Sequence, residues 1–152
     1  MSDETHVLIP QSIRHATFVR AMPEKTYDAI ATREGLDGWF TVGAEVEARP
    51  GGHIRFNWVD WGPDKVTASD EGPVLDAERG KKFVFQWHPD NNEYATTVTI
   101  EFKEVKGGTN VYLQEDGFKD TFDGLKAMME CATGWGEALT LMKYYVEHGL
   151  RY

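Results

Sequence analysis

Residues 123–147 carry apolar side chains at three- and four-residue spacing: Leu125, Met128, Met129, Ala132, Trp135, Leu139, Met142 and Val146. That spacing stacks them on one stripe of a single α-helix. At 1.5 Å per residue such a helix is roughly 37 Å long, enough to cross a whole small domain. Most of what precedes it is strand-like and aromatic. Only this element is long enough to cover one face of an antiparallel sheet, so the chain is expected to be α+β, with the sheet curled around its last helix. Large side chains then meet across the gap, which points to a pocket.

The upstream pattern supplies the sheet. Residues 13–20 are extended in character, and Pro23 with Glu24 then marks a helix start, Pro at the first position and an anion where the helix dipole favours one. Tyr27, Ile30 and Ala31 share a face, and Gly35 and Gly38 punctuate a second turn carrying Leu36, Trp39 and Phe40, so a short helix pair follows the first strand. From residue 42 the period becomes two: Val42, Ala44, Val46 and Ala48 alternate with Glu45, Glu47 and Arg49. Pro50-Gly51-Gly52 turns the chain into Ile54, Phe56 and Trp58. The stretch from Gly62-Pro63 to Gly72-Pro73 is expected to be irregular. Three further alternating runs follow, on Phe83, Phe85 and Trp87, on Val98, Ile100 and Phe102, and, after Gly107-Gly108, on Val111, Leu113 and Glu115. Short connections imply sequential antiparallel hairpins, because parallel strands need long crossovers.

A length of 152 residues fits one domain, read as residues 13–152 behind an N-terminal extension over 1–12. The 16 basic residues stand against 25 acidic ones, net −9, with no basic run, which argues against nucleic acid and anionic membranes as partners. Residues 1–6 lack the basic start of a signal peptide, and no stretch approaches the ~20 apolar residues of a membrane span, so the cytoplasm is the expected compartment. Cys131 is the only cysteine, which excludes an internal disulfide; on the apolar stripe it reads as a packing residue rather than a nucleophile.

If strand register holds, Phe56, Trp58, Phe83, Phe85, Trp87, Val98, Ile100, Phe102, Val111 and Leu113 point inward. Trp39 and Phe40 close one end, and Met128, Met129, Trp135, Leu139 and Met142 form the lid. Singly, each is better explained as core; as a set, large aromatics under one helix often leave a cavity. Glu115 takes the inward parity near its strand end, where a solvated rim is expected and the polar handle of a pocket is the alternative. Gly134 and Gly136 flank Trp135 at about 1 kcal/mol each relative to Ala, a cost usually offset by close approach of a neighbour. Room for the indole against the helix pair is the expected reason. The histidines His6, His15, His53, His88 and His148 show no i,i+4 pairing, and His88-Pro89-Asp90 with Glu93 is a weak metal corner, so no metal site is expected. No nucleophile elbow or phosphate loop is present, hence no catalytic residue and no cofactor is assigned.

In this order and spacing the chain resembles the SRPBCC superfamily, START-like or birch-pollen-allergen-like, whose members share a helix-grip fold. It is more closely similar to the Aha-type family, named for the C-terminal domain of a heat-shock-chaperone ATPase activator. The residues that carry the likeness are Pro23-Glu24 and positions 27–39, Arg49-Pro50-Gly51-Gly52, Lys82-Phe83-Val84-Phe85-Gln86-Trp87, Asp116-Gly117-Phe118, and Gly134-Trp135 followed by Leu139 and Met142. The chain departs from the activator in having no room for a second domain, and its segment 57–65, with two tryptophans, is unusual. The superfamily includes lipid carriers, cyclases and stress-response proteins, so the resemblance implies the fold without one activity.

Three functions are therefore carried. The first is a binding domain that takes a small hydrophobic molecule between sheet and C-terminal helix. Its pocket would be built from Trp39, Phe40, Phe56, Trp58, Phe85, Trp87, Ile100, Phe102, Leu113, Glu115, Met128, Trp135, Leu139 and Met142. The second is an enzyme on a small apolar substrate, with Glu115 or Asp60 as acid or base. The third, implied by the resemblance, is a co-chaperone-like module with a chaperone as partner. A homodimer is left open.

Overall fold

The computed structural model describes residues 7–152. The acidic start and His6 lie outside the described residues. Strand β1 (Ile13–Val19) leads into helices α1 (Pro23–Ala31) and α2 (Arg33–Trp39). Five strands follow before the last one: β2 (Glu45–Val46), β3 (His53–Trp61), β4 (Val66–Glu78), β5 (Lys82–Trp87) and β6 (Thr96–Val105). Strand β7 (Gly108–Asp116) then precedes the long helix α3 (Phe122–His148). The seven strands form one antiparallel sheet in the order β1-β7-β6-β5-β4-β3-β2, a meander closed at one edge by the first strand. The sheet curves around α3, as the helix-grip reading requires.

Local chemistry explains the helix ends. Pro23 opens α1, where its missing N–H costs nothing. The Thr32 hydroxyl accepts from the Gly35 amide at 3.0 Å and starts α2. The Thr121 hydroxyl does the same for Gly124 at 2.9 Å and starts α3, which stops at left-handed Gly149. Outside the expected domain boundary, Leu8 bridges to Lys119 and the Ile9 amide donates to the Phe118 carbonyl at 2.8 Å, so residues 7–9 lie against the turn into α3.

The inward parity expected for β3, β5, β6 and β7 is the one observed: Phe56, Phe83, Phe85, Val98, Ile100, Val111 and Leu113 are all buried. Three expectations need correction. The segment expected to be irregular is most of β4, paired to β3 and β5. It shows no alternation because it is largely exposed, with only Gly72 and Val74 buried. Gly72 is not a break: a Cβ there would stand 1.9 Å from the Gln86 carbonyl oxygen, so glycine permits β4 and β5 to approach. Conversely, the alternating run at 42–49 forms a strand only over Glu45 and Val46. Left-handed Gly43 interrupts it on one side, and on the other the chain turns tightly, with the Arg49 amide on the Glu47 carbonyl at 2.9 Å and the Gly52 amide on the Arg49 carbonyl at 2.8 Å.

The buried face of α3 also differs from the stripe. Gly124, Ala127, Trp135, Ala138, Leu139, Met142 and Val146 are buried, whereas Leu125 and Met129 are exposed. Toward its start the helix is rolled by one position, placing small Gly124 and Ala127 inward. Among the described residues, no helix is long and apolar enough to cross a membrane.

Candidate functional site

Glu115 ends the inward row of β7 after Thr109, Val111 and Leu113. On β6 it faces Val98, and one inward step further along, Thr96 faces Trp87 of β5. Trp135 descends from α3 onto the same spot. The result is a carboxylate held by three donors: the Trp87 indole N–H at 2.7 Å and the Thr96 hydroxyl at 2.6 Å on Oε2, and the Trp135 indole N–H at 2.8 Å on Oε1. Glu115 is 0% exposed, so the solvated rim expected for it is overturned. The strand does not twist out before Glu115, because Trp135 covers it. Burial pushes its carboxyl above the ordinary carboxylate value, and the three donors pull it part of the way back.

A pocket of about 260 Å³ is bounded by the same two indoles. Phe40, Trp58 and Trp61 add three more rings, Val66, Ala68 and Pro89 complete the sheet side, and Ala127, Glu130, Cys131 and Gly134 supply the helix side. The rings form a connected cluster. Trp87 and Trp135 are 5.2 Å apart between centroids, Phe40 lies 5.4 Å from Trp58 and 5.7 Å from Trp61, and Trp58 lies 6.1 Å from Trp87. The Trp61 indole nitrogen is buried with no hydrogen-bond partner among the described residues.

Of the residues expected to line a pocket, Phe40, Trp58, Trp87 and Trp135 do so. Glu115 stands behind Trp87 and Trp135 rather than in the lining. Trp39, Phe56, Phe85, Ile100 and Leu139 surround a void of only about 10 Å³ and are packed core. Trp39 stacks on Phe40 at 4.9 Å and donates its indole N–H to the Ala29 carbonyl at 2.8 Å. Phe102, Leu113 and Met142 are buried away from the pocket, and Met128 is half-buried outside it. The middle of the grip is thus filled, because Phe56 nests against Trp58 at 5.5 Å and Phe85 at 5.4 Å. The aromatic space lies at the end of the grip beside Trp87 and Trp135, while more polar clefts lie outside it, one between the helix pair and the end of α3 and one beside Pro23 and Arg79.

Sequence reasoning missed Trp61, Val66, Ala68, Pro89, Ala127, Glu130, Cys131 and Gly134. Alternation puts Trp58 and Trp61 on opposite faces. The register shift between them, with Asp60 at φ +50, brings both to Phe40. Asp60 itself is exposed at this bulge, where nothing desolvates it as an acid or base in an apolar pocket would require. Cys131 is half-buried in the pocket wall, and burial first, then the Glu115 and Glu130 carboxylates, push its thiol up and keep it protonated.

The two helix glycines have separate reasons, and neither is the indole. A Cβ on Gly136 would approach His15 Cε1 at 3.4 Å, where the imidazole Nε2 meets the Ala132 carbonyl at 2.8 Å. A Cβ on Gly134 would meet nothing within 4 Å, and Gly134 faces the pocket. At the weak metal corner, His88 pairs with Asp70 at 3.2 Å and Asp90 accepts from the Tyr94 hydroxyl at 2.7 Å. Among the described residues, no group of three or more His, Cys, Asp and Glu is placed to hold a metal ion.

Comparison with known proteins places the fold. A family model described as Activator of Hsp90 ATPase homolog 1-like protein matches residues 20–147. The solution structure of the Aha1 dimer from Colwellia psychrerythraea is similar with a TM-score of 0.74 and 23% identity, covering 91% of this chain and 98% of that one. A protein from Staphylococcus saprophyticus gives 0.74 and 21%, covering 93% and 96%. One from Bacillus halodurans gives 0.71 and 25%, covering 93% and 99%. No curated protein matches the sequence.

Proposed function

The chain belongs to the Activator of Hsp90 ATPase homolog 1-like family, and from that premise we propose that it is a binding protein for a small hydrophobic molecule. The observation that carries this reading is the aromatic pocket of about 260 Å³ beside a core that is otherwise filled. A ligand entering it removes apolar surface from water on both sides, worth roughly 25 cal/mol per Å² before the cost of ordering. Pro89 and the β3–β4 hairpin form one wall and α3 the other, so the opening is at the end of the grip and the ligand need not thread the core.

Glu115 acts in this reading as a positioning group. Its oxygens are occupied by three donors, which orients Trp87 and Trp135 and fixes the pocket wall. Those same bonds leave little support for Glu115 as an acid or base on a substrate.

Four of the five tryptophans line the pocket, so intrinsic fluorescence reads occupancy directly. Titration with fatty acids, sterols and small aromatic compounds is expected to shift or quench emission saturably for at least one class. Silence from every class overturns the proposal. A second reading, a module that acts on a chaperone, is favoured by the family's name alone; an ATPase assay with the chaperone and no stimulation dismisses it.

A further inference from the structure

The pocket has a sign as well as a shape. Resting on the reading that it binds a ligand, we infer that the preferred ligand is an organic cation of the quaternary or tertiary ammonium class, its charged end held against the indole faces. Five rings, from Phe40, Trp58, Trp61, Trp87 and Trp135, surround the space, and an aromatic face attracts a cation within about 6 Å of its centroid, most strongly for tryptophan. Lys, Arg and His are all missing from the lining, whose one charged member is Glu130 at the exposed mouth.

Glu115 deepens the effect from behind. Its oxygens accept from Trp87 and Trp135, so the N–H ends of both indoles are directed at the carboxylate and are not available to a ligand. A carboxylate on the N–H also pushes electron density into each ring, which strengthens the negative potential of its face. An anionic ligand would meet the Glu130 carboxylate in the lining and the field of Glu115 from behind the two indoles, and the unpaired Trp61 indole N–H is itself buried. The Cys131 thiol reports the same field from the wall: after burial, the charges that hold it protonated are Glu115, Glu130, Asp70 and Asp90.

The lining also selects the kind of cation. A metal ion or primary ammonium needs several oxygen acceptors to replace its water, and a single rim carboxylate cannot supply them. A quaternary or tertiary ammonium carries its charge under an apolar shell, is weakly hydrated, and presents methyl or methylene groups to the rings. One molecule thereby satisfies both the apolar wall and the negative potential.

The test compares benzyltrimethylammonium with neopentylbenzene, its uncharged isostere, by tryptophan fluorescence and by indole N–H resonances. The cation is expected to bind about tenfold tighter than the isostere. In Glu130→Gln, whose side chain is exposed and has no structural partner among the described residues, that ratio is expected to fall severalfold. Equal binding of the two probes, or a ratio unchanged in Glu130→Gln, overturns the cation assignment while leaving a hydrophobic pocket in place. Binding of neither probe, together with silence from the fatty acids, sterols and aromatics, removes the pocket reading as well.

Discussion

Trp135 of α3 donates its indole N–H to Oε1 of Glu115 on β7 at 2.8 Å, tying the long helix to the sheet by a polar bond inside an apolar interior. Hydrogen bonds to an ionised acceptor are stronger than neutral ones, and one that is fully desolvated fixes geometry as well as energy. The second indole, Trp87, reaches the same carboxylate from the sheet at 2.7 Å. One side chain therefore sets the spacing between the two walls of the pocket.

Glu115→Gln is expected to destabilise the fold by about 1–3 kcal/mol, because the amide offers one acceptor oxygen and turns an N–H₂ toward a donor, leaving a buried group unpaired. Urea denaturation measures this. The two proteins also differ in pH dependence. Burial raises the folded carboxyl above the ordinary 4.5, so its contribution to stability is fully present below that value and is lost as pH rises through the folded one. The wild-type-minus-variant stability difference should fall with rising pH above about 4.5; a difference that grows instead contradicts the burial argument.

Trp87→Phe and Trp135→Phe each remove one donor from one carboxylate, so their effects should not add. A double-mutant cycle is expected to give a coupling of about 0.5–3 kcal/mol, against near zero for independent core positions.

Gly134→Ala separates stability from binding. The new Cβ meets nothing within 4 Å, so the helix gains about 1 kcal/mol. The same methyl group narrows the pocket, and ligand affinity should drop. A thermal melt that rises alongside a weakened fluorescence titration is the expected pair. Gly136→Ala, facing His15 at 3.4 Å, should gain less.

Cys131 should react with iodoacetamide at pH 8 at least about tenfold more slowly than free cysteine, because burial and the surrounding carboxylates hold it as the thiol. Unfolding in urea should restore the ordinary rate. Fast reaction of the native protein would show that the wall is neither buried nor negative.

Gly72→Ala is expected to cost at the upper end of the roughly 1–3 kcal/mol of overpacking, since the Cβ would lie 1.9 Å from the Gln86 carbonyl and two paired strands would have to part. A loss smaller than that of an exposed strand glycine would rule out the close approach of β4 and β5.

What the sequence determines is everything that depends on period. Alternation fixes which side chains of β3, β5, β6 and β7 face inward, short turns fix antiparallel order, and the three- and four-residue spacing fixes a long terminal helix, because each is a local consequence of backbone geometry. Tertiary structure decides where the interior is full and where it is open. Trp58 and Trp61 join one pocket only through a bulge that breaks their alternation, and β4 is held by backbone pairing that leaves no apolar signature. Glu115 reads as a rim residue until Trp135 is laid over it. Burial of a carboxylate depends on what crosses above it, and that is set by the docking angle of a helix contributed from elsewhere in the chain.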